Sequence, residues 1–409
     1  FGAFTCDLME IVLWLKKCSI ETVAMESTGV YWKNLFNMLV QNGFEVYLVN
    51  ARHTRNITGK KTDESDAAWI QRLHSCGLLN TCFLPDDQTE TLRSLVRHRR
   101  SLTNDSTRCI LRIEKSLELM NLKIHTVISD LTGKTGTAIV EAIIAGERKA
   151  ENFLPLVDPR IKADQETIRK SLEGNWRTEH LFLIKQSYRM YQFIQQQITL
   201  CEQEIEIVLQ QLVARSNDGV IENLPVEVAA SGKKPKKKKS KNQPVFNTHD
   251  YLKNIYGTDV MDIYGISETG ALEILAETGT DLSKWPTEEK FVGWLNLCPN
   301  RKISGGKLIS SKVLKKKVNP AAQAFRMSAN SLKSSNHWLG DFFRRMRAKG
   351  GHKYAIVATA RKLAIIYYRM VRYKQPFIPF DQDEYREKYR LAKIANLERA
   401  LKRLMAEAA

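Results

Sequence analysis

The chain has 409 residues, 43% apolar and 9% aromatic, which is enough for two or three domains with packed cores and rules out wholesale disorder. Lys and Arg total 63 against 45 Asp and Glu, a net charge of +18 that points to polyanions such as nucleic acid. No apolar stretch reaches the roughly 18 to 20 residues that span a bilayer, the start FGAFTCDLMEIVLWLKK lacks a signal peptide's basic opening, and the seven cysteines contain no C-x-x-C pair, so a membrane span, a secreted disulfide scaffold and a zinc site are excluded. A soluble, intracellular protein is expected.

In chain order, Leu8 to Trp14 reads as a helix, Thr22-Val-Ala-Met-Glu26 as a strand, Tyr31 to Gln41 as a helix and Glu45 to Asn50 as a second strand. This alternation is the pattern of an α/β domain. A basic loop runs to Lys61, a helix follows from about Asp63 to His74, and residues 89 to 123 read as a long, Arg-rich helix. After a small-residue segment near Leu131 to Gly146, apolar positions 191, 194, 198, 201, 205, 208 and 212 alternate spacings of three and four. That is a coiled-coil seam, suited to another helix or another chain. Residues 216–248, with GKKPKKKKSKNQP at their centre, read as a flexible linker. The run Lys233 to Lys241 carries seven charges, leaving a surplus of 11 elsewhere, and the linker is read as an arm that neutralises phosphates rather than an inert spacer. A helical domain from about Tyr251 to Tyr373 and a charged helix from Glu384 to Glu407 complete the chain. The expected organisation is an α/β domain over 1–125, a helical coiled-coil region over 126–215, the linker over 216–248, a mostly α domain over 249–375 and a charged helix over 376–409.

Chemistry is expected in two places. Glu26 ends a strand, and Asp63 and Asp66 share one face at the start of a helix. Three carboxylates gathered there suit Mg²⁺, a hard cation that takes oxygen ligands and polarises phosphodiesters. Arg52, His53, Arg55, Lys60 and Lys61 would draw a nucleic-acid backbone towards them. The plainer alternative is equally open: Asp63 as an N-cap, Asp66 favouring the helix dipole, and Glu26 solvated before a turn. The second place is the C-terminal domain. Asp262-Ile-Tyr-Gly-Ile-Ser267 precedes a helix from Thr269 to Glu277, so backbone N–H groups near Gly265 and Ser267 either grip a phosphate or belong to an ordinary helical turn. Downstream, Pro299-Asn-Arg-Lys-Ile-Ser-Gly-Gly-Lys307 presents a hydroxyl on a Gly-rich, cationic loop. Ser304 is a candidate nucleophile there, with Arg301, Lys302 and Lys307 to stabilise a pentacovalent phosphate, against the alternative of a plain turn or a phosphate-binding loop.

Longer strings carry a resemblance. Met25-Glu-Ser-Thr-Gly-Val-Tyr-Trp32, Val49-Asn-Ala-Arg-His53, Gly59-Lys-Lys-Thr-Asp-Glu-Ser-Asp-Ala67 and Leu95-Val-Arg-His-Arg-Arg-Ser-Leu102 resemble the RuvC-like (RNase H-like) domain of the IS110 family of transposases. Ile263-Tyr-Gly-Ile-Ser267, Ala276-Glu-Thr-Gly279, Ser304-Gly-Gly-Lys307 and Ala360-Arg-Lys-Leu-Ala364 resemble that family's C-terminal domain, with its helix-hairpin-helix. The resemblance implies a DEDD carboxylate set in which Glu26, Asp63 and Asp66 take the second, third and fourth places, and it implies that Ser304 forms a covalent link to DNA during strand exchange. It further implies Mg²⁺ as cofactor, DNA ends and target DNA as substrates, a structured guide RNA, and a homo-oligomer, dimer or tetramer, in which one subunit's RuvC-like site completes the serine site of another.

One departure stands out. The family's first Asp lies on an N-terminal strand of Gly-Ile-Asp-Val type, and this chain begins downstream of it, at Phe1. Asp7 precedes the helix Leu8 to Trp14 and is not assigned that role. Two alternatives to the transposase are therefore kept: a nucleic-acid-binding remnant that does not cut, and a RuvC-like structure-selective nuclease that needs the carboxylates and not Ser304.

Overall fold

The chain opens with a helix and two short runs rich in strand-favouring side chains. α1 (Thr5–Lys17) leads into β1 (Thr22–Glu26), and α2 (Trp32–Gln41) carries the chain to β2 (Glu45–Val49). The strands pair in parallel, Thr22 opposite Glu45 and Glu26 opposite Val49, an arrangement that needs the crossover helix α2 supplies. Val12, Leu39 and Phe44 form the small core, with Val23, Met25, Leu35 and Val46 packed on it. The structure, a computed structural model, describes residues 1–50, 63–218, 242–313 and 319–408. It separates into two units, Phe1–Leu84 and Pro85–Ala409.

In the first unit α3 (Asp63–Ser75) packs beside β1. Its last turn is fixed to the start of that strand: His74 Nε2 and Thr22 Oγ1 are 2.8 Å apart, and the His74 ring meets the Tyr47 ring edge-on at 4.7 Å. The chain then returns along β2, where the Cys82 N–H donates to the Leu48 carbonyl at 2.6 Å and Thr81 bridges Val49 in antiparallel sense.

The second unit is built on two long helices. α4 (Asp87–Leu119) is N-capped by Asp86, whose carboxylate accepts from the Thr89 N–H at 3.2 Å. Beyond it, α5 (Lys134–Ala145) and α6 (Gln165–Ser171) close a core of Leu117, Met120, Ile124, Ile139, Phe153 and Ile184. α7 (Thr178–Asp218) runs back antiparallel to α4, as its contacts show: Gln195 to Ser106 at 2.8 Å, Cys201 Sγ to the Leu95 carbonyl at 3.5 Å, and Arg215 to Asp86 at 3.4 Å. Ile194, Cys201, Ile205, Val208 and Leu212, five of the seven seam positions, are buried, and α4 offers Leu92, Val96, Cys109 and Ile113 in return. The chain's own α4 therefore fills this stripe. This packing groups α4 with α7 in the second unit, Pro85–Ala409.

Only part of the linker expected over 216–248 lies among the described residues. Positions 216–218 end α7, and 242–247 are held down: Arg99 donates to the Asn242 carbonyl at 2.8 Å, and the Val245 N–H donates to Glu202 at 2.9 Å. The basic run lies outside them. The remainder comprises α8 (Thr248–Tyr256), α9 (Glu268–Thr278), α10 (Glu288–Trp294), an antiparallel hairpin of β3 (Asn300–Ser304) and β4 (Lys307–Lys312), then α11 (Pro320–Ser331), α12 (Trp338–Tyr373) and α13 (Gln382–Ala408). α12 kinks at Gly350 and Gly351, the latter at φ 81°. Tyr256, Leu272, Phe291, Phe325, Leu363 and Tyr367 are buried at the centre of this helical cluster. No helix among the described residues is long and apolar enough to cross a membrane.

Candidate functional site

Glu26 is the last residue of β1 and is half-buried. Its carboxylate accepts from Thr28 Oγ1. Next to it the Ser27 N–H donates to the Val49 carbonyl at 2.9 Å, and Ser27 Oγ lies 3.8 Å from Cys82 Sγ. Burial pushes the Cys82 thiol up, against the lowering effect of Ser27.

Asp63 opens α3, and Asp66 sits in its first turn, half-buried. The pin between Thr22 and His74 gives the geometry its scale. From His74 back to Asp66 the helix advances about 12 Å, and from Thr22 forward to Glu26 the strand advances about 13 Å. These are lengths along each element, and the contact fixes the His74 end of α3 beside the Thr22 end of β1. Among the described residues no three Asp, Glu, His or Cys side chains form a metal-binding group. The Asp63 side chain and all of Arg52, His53, Arg55, Lys60 and Lys61 lie outside the described residues.

Ser304 lies not on an irregular loop but at the tip of the hairpin, a correction to the expected Gly-rich loop. Gly305 and Gly306 take φ 55° and 75°, two left-handed residues in succession, the turn that joins two antiparallel strands most tightly. A Cβ at either glycine meets nothing within 4 Å, so the space over the turn is open. Ser304 pairs directly with Lys307, which sets their Cα atoms about 5.5 Å apart. Strand alternation puts Lys302 on the face of β3 that carries Ser304, and Arg301 with Ile303 on the other face. The whole of β3 is exposed, including Ile303 at 63%, and Leu308 opposite it is 59% exposed.

Gly265 and Ser267 are engaged within the fold. Gly265 adopts φ 88°, and a Cβ there would lie 2.7 Å from the Ser328 carbonyl oxygen of α11, so both conformation and space require glycine. Ser267 N-caps α9, accepting from the Gly270 N–H at 3.1 Å. Tyr264, immediately before Gly265, stacks on His337 with ring centroids 4.1 Å apart.

Sequence reasoning did not find what the Arg-rich helix does. Arg93 donates to the Ala276 and Glu277 carbonyls at 3.2 and 2.8 Å, closing the C-terminal end of α9, while Arg97 forms a two-point ion pair with the Glu277 carboxylate. Arg99 pairs with Glu202 of α7 at 2.6 Å, both nearly fully buried. Close by, burial pushes the Glu273 carboxyl up, more than Arg100 and Arg99 pull it down.

Residues 7–122 match a family model described as a transposase, of the DEDD type of IS110 elements, and residues 258–344 match one described as a transposase of the IS116/IS110/IS902 family. The first match contains Glu26, Asp63 and Asp66, and the second contains Gly265, Ser267 and Ser304. No curated protein matches the chain.

Proposed function

This chain belongs to the IS110 family of insertion-sequence transposases, and from that premise we propose that it exchanges DNA strands under the direction of a structured RNA, with Mg²⁺ at Glu26, Asp63 and Asp66 and with Ser304 as the nucleophile. The observation that carries the reading is Ser304 at an open two-glycine turn, paired with Lys307 and flanked by Lys302, inside a segment that matches the transposase family.

The donor chemistry fits a hard divalent cation: Glu26, Asp63 and Asp66 offer carboxylate oxygens, the ligands such an ion takes. Bound there, the cation would polarise a phosphodiester and offset the charge that builds on its oxygens. Glu26, Asp63 and Asp66 would hold it, and Thr28 would orient the Glu26 carboxylate by donating to it.

At the hairpin, Ser304 Oγ forms a bond to phosphorus as the DNA P–O bond breaks, and the released DNA oxygen takes up the proton that serine loses. Attack by the hydroxyl of another strand reverses the step and rejoins the backbone. Lys302 and Lys307 face the same side as Ser304 and stabilise the pentacovalent phosphate between these states. The distributed positive surplus supports a long polyanionic partner.

A strand-exchange assay with element ends, target DNA, the element's RNA and Mg²⁺ tests the reading. Ser304→Ala, Glu26→Gln and Asp66→Asn are each expected to reduce joined product to background. Exchange by Ser304→Ala at the wild-type rate refutes the serine assignment, and DNA cleavage that persists in that variant identifies a carboxylate-only nuclease.

A further inference from the structure

α13 leaves the protein's core after its first two turns. Gln382 and Arg386 each donate to Asp341 Oδ2 at 2.8 Å, Tyr385 lies against Trp338 at 5.9 Å, and Arg345 covers the Tyr389 ring at 4.4 Å. From Leu391 onward the helix runs for more than four turns, about 26 Å, without burying a described side chain.

This free portion is not uniformly polar. Ile394, Leu397 and Leu401 follow one another at spacings of three and four, and they are 43, 60 and 58% exposed; Leu391 at 57% and Met405 at 65% flank them. An isolated helix of this length is marginal in water, and an apolar stripe at seam spacing is what a partner helix covers. The stripe lies beyond residue 344, where the family match ends, and it is separate from the seam of α7 that α4 fills.

The charges beside the stripe choose the occupant. Taking Ile394 and Leu397 as successive seam positions, Lys393 precedes the first and Glu398 follows the second. When two copies lie parallel and in register, Lys393 of each copy stands beside Glu398 of the other, giving two opposite-charge contacts across the seam. An antiparallel pairing about the same seam sets Glu398 against Glu398. We propose that α13 is a self-association element, a parallel two-stranded coiled coil formed by the C-terminal helices of two copies of this chain.

Sedimentation of the full chain over a range of concentrations tests this. Leu397→Glu/Leu401→Glu is expected to weaken self-association about tenfold or more, since tenfold corresponds to about the burial of a single leucine and the pair loses four, with loss of concentration-dependent helix signal in circular dichroism. Lys393→Glu alone is expected to weaken it roughly two- to fivefold, because two glutamates then meet on each side, and Lys393→Glu/Glu398→Lys to restore the wild-type constant. These positions are exposed, so none of the variants disturbs the core. Unchanged association of the leucine variant overturns the proposal. So does failure of the charge swap to restore, which excludes the parallel pairing, or loss of nucleic-acid binding by the leucine variant at unchanged mass, which assigns the face to nucleic acid.

Discussion

Arg97 and Glu277 stand 180 residues apart in sequence and meet in a two-point ion pair, Nε to Oε1 at 2.7 Å and Nη2 to Oε2 at 2.8 Å. Arg97 lies in the segment 7–122 and Glu277 in the segment 258–344, each of which matches a transposase family model. The neighbours of Glu277 are used in the same joint. Thr278 Oγ1 donates to the Ile274 carbonyl at 2.9 Å, and Gly279, at φ 65°, lets the chain pass Thr89, which a Cβ would approach to 3.4 Å. Both segments therefore serve the attachment of the α9 cluster to the long helical hairpin, and these arginines are spent on the fold rather than on a nucleic-acid backbone.

Removing the acidic partner should be costly. Glu277→Ala leaves Arg93, nearly fully buried, beside an empty site, and destabilisation of about 3 kcal/mol is expected in chemical denaturation. Arg97→Ala should cost less, about 1 kcal/mol, because that side chain is half exposed and Arg93 still closes the helix end. Equal effects from the two substitutions contradict this account.

The two classes of glycine separate by stability. Gly265→Ala adds a Cβ 2.7 Å from a carbonyl oxygen at a left-handed residue, and a loss of about 3 kcal/mol is expected. Gly306→Ala meets no atom and carries backbone strain alone, about 1 kcal/mol, confined to the hairpin. Thermal melts of the two variants give the comparison directly.

The cations of the hairpin should not be equivalent. Lys307→Gln removes the charge paired with Ser304, and the strand-exchange rate is expected to fall roughly a hundredfold. Arg301→Gln, on the opposite face of β3, should lower it by less than about threefold at saturating DNA. A larger effect at Arg301 than at Lys307 reverses the assignment of the two faces.

Acid should release α13. Burial pushes the Asp341 carboxyl up, but hydrogen bonds from Gln382, Arg386 and Arg344 outweigh it and hold the group down at about 2. Because the folded value lies below the ordinary 3.8, this contribution is complete above about pH 4 and disappears as pH falls towards 2. In that window thermal stability should fall more steeply for the wild type than for Asp341→Asn, and parallel curves from the two proteins remove Asp341 from the explanation.

Glu273 has the opposite sign. Its carboxyl is pushed up by burial, so the folded state favours the protonated form and loses stability as pH rises above the ordinary value of 4.5. Glu273→Gln is expected to be neutral or stabilising at pH 7 and to flatten the pH dependence of unfolding above about pH 5. A clear loss of stability at pH 7 shows instead that Arg99 and Arg100 depend on this charge.

Much of the local structure was legible in the order of residues. β-branched and apolar runs marked β1 and β2, Asp63 marked the start of α3, and three-four spacing marked the buried stripe of α7, because pairing geometry and helical periodicity are written into neighbouring side chains. The hairpin was legible too: Arg-Lys-Ile-Ser and Lys-Leu-Ile-Ser flank two glycines, and two successive left-handed residues are what a tight strand reversal demands. The carboxylates of Glu26 and Asp66 were singled out by type and position, but the seating of α3 beside β1 depends on Thr22 meeting His74, a contact 52 residues long. Only the tertiary structure decided that α4 fills the α7 stripe, that Arg93, Arg97 and Arg99 meet carboxylates and carbonyls, and that Gly265 lies against Ser328. The physical reason is that a charged or small residue carries no local mark of its partner: propensity fixes the element that bears it, whereas burial and pairing depend on which distant surface the completed chain brings against it.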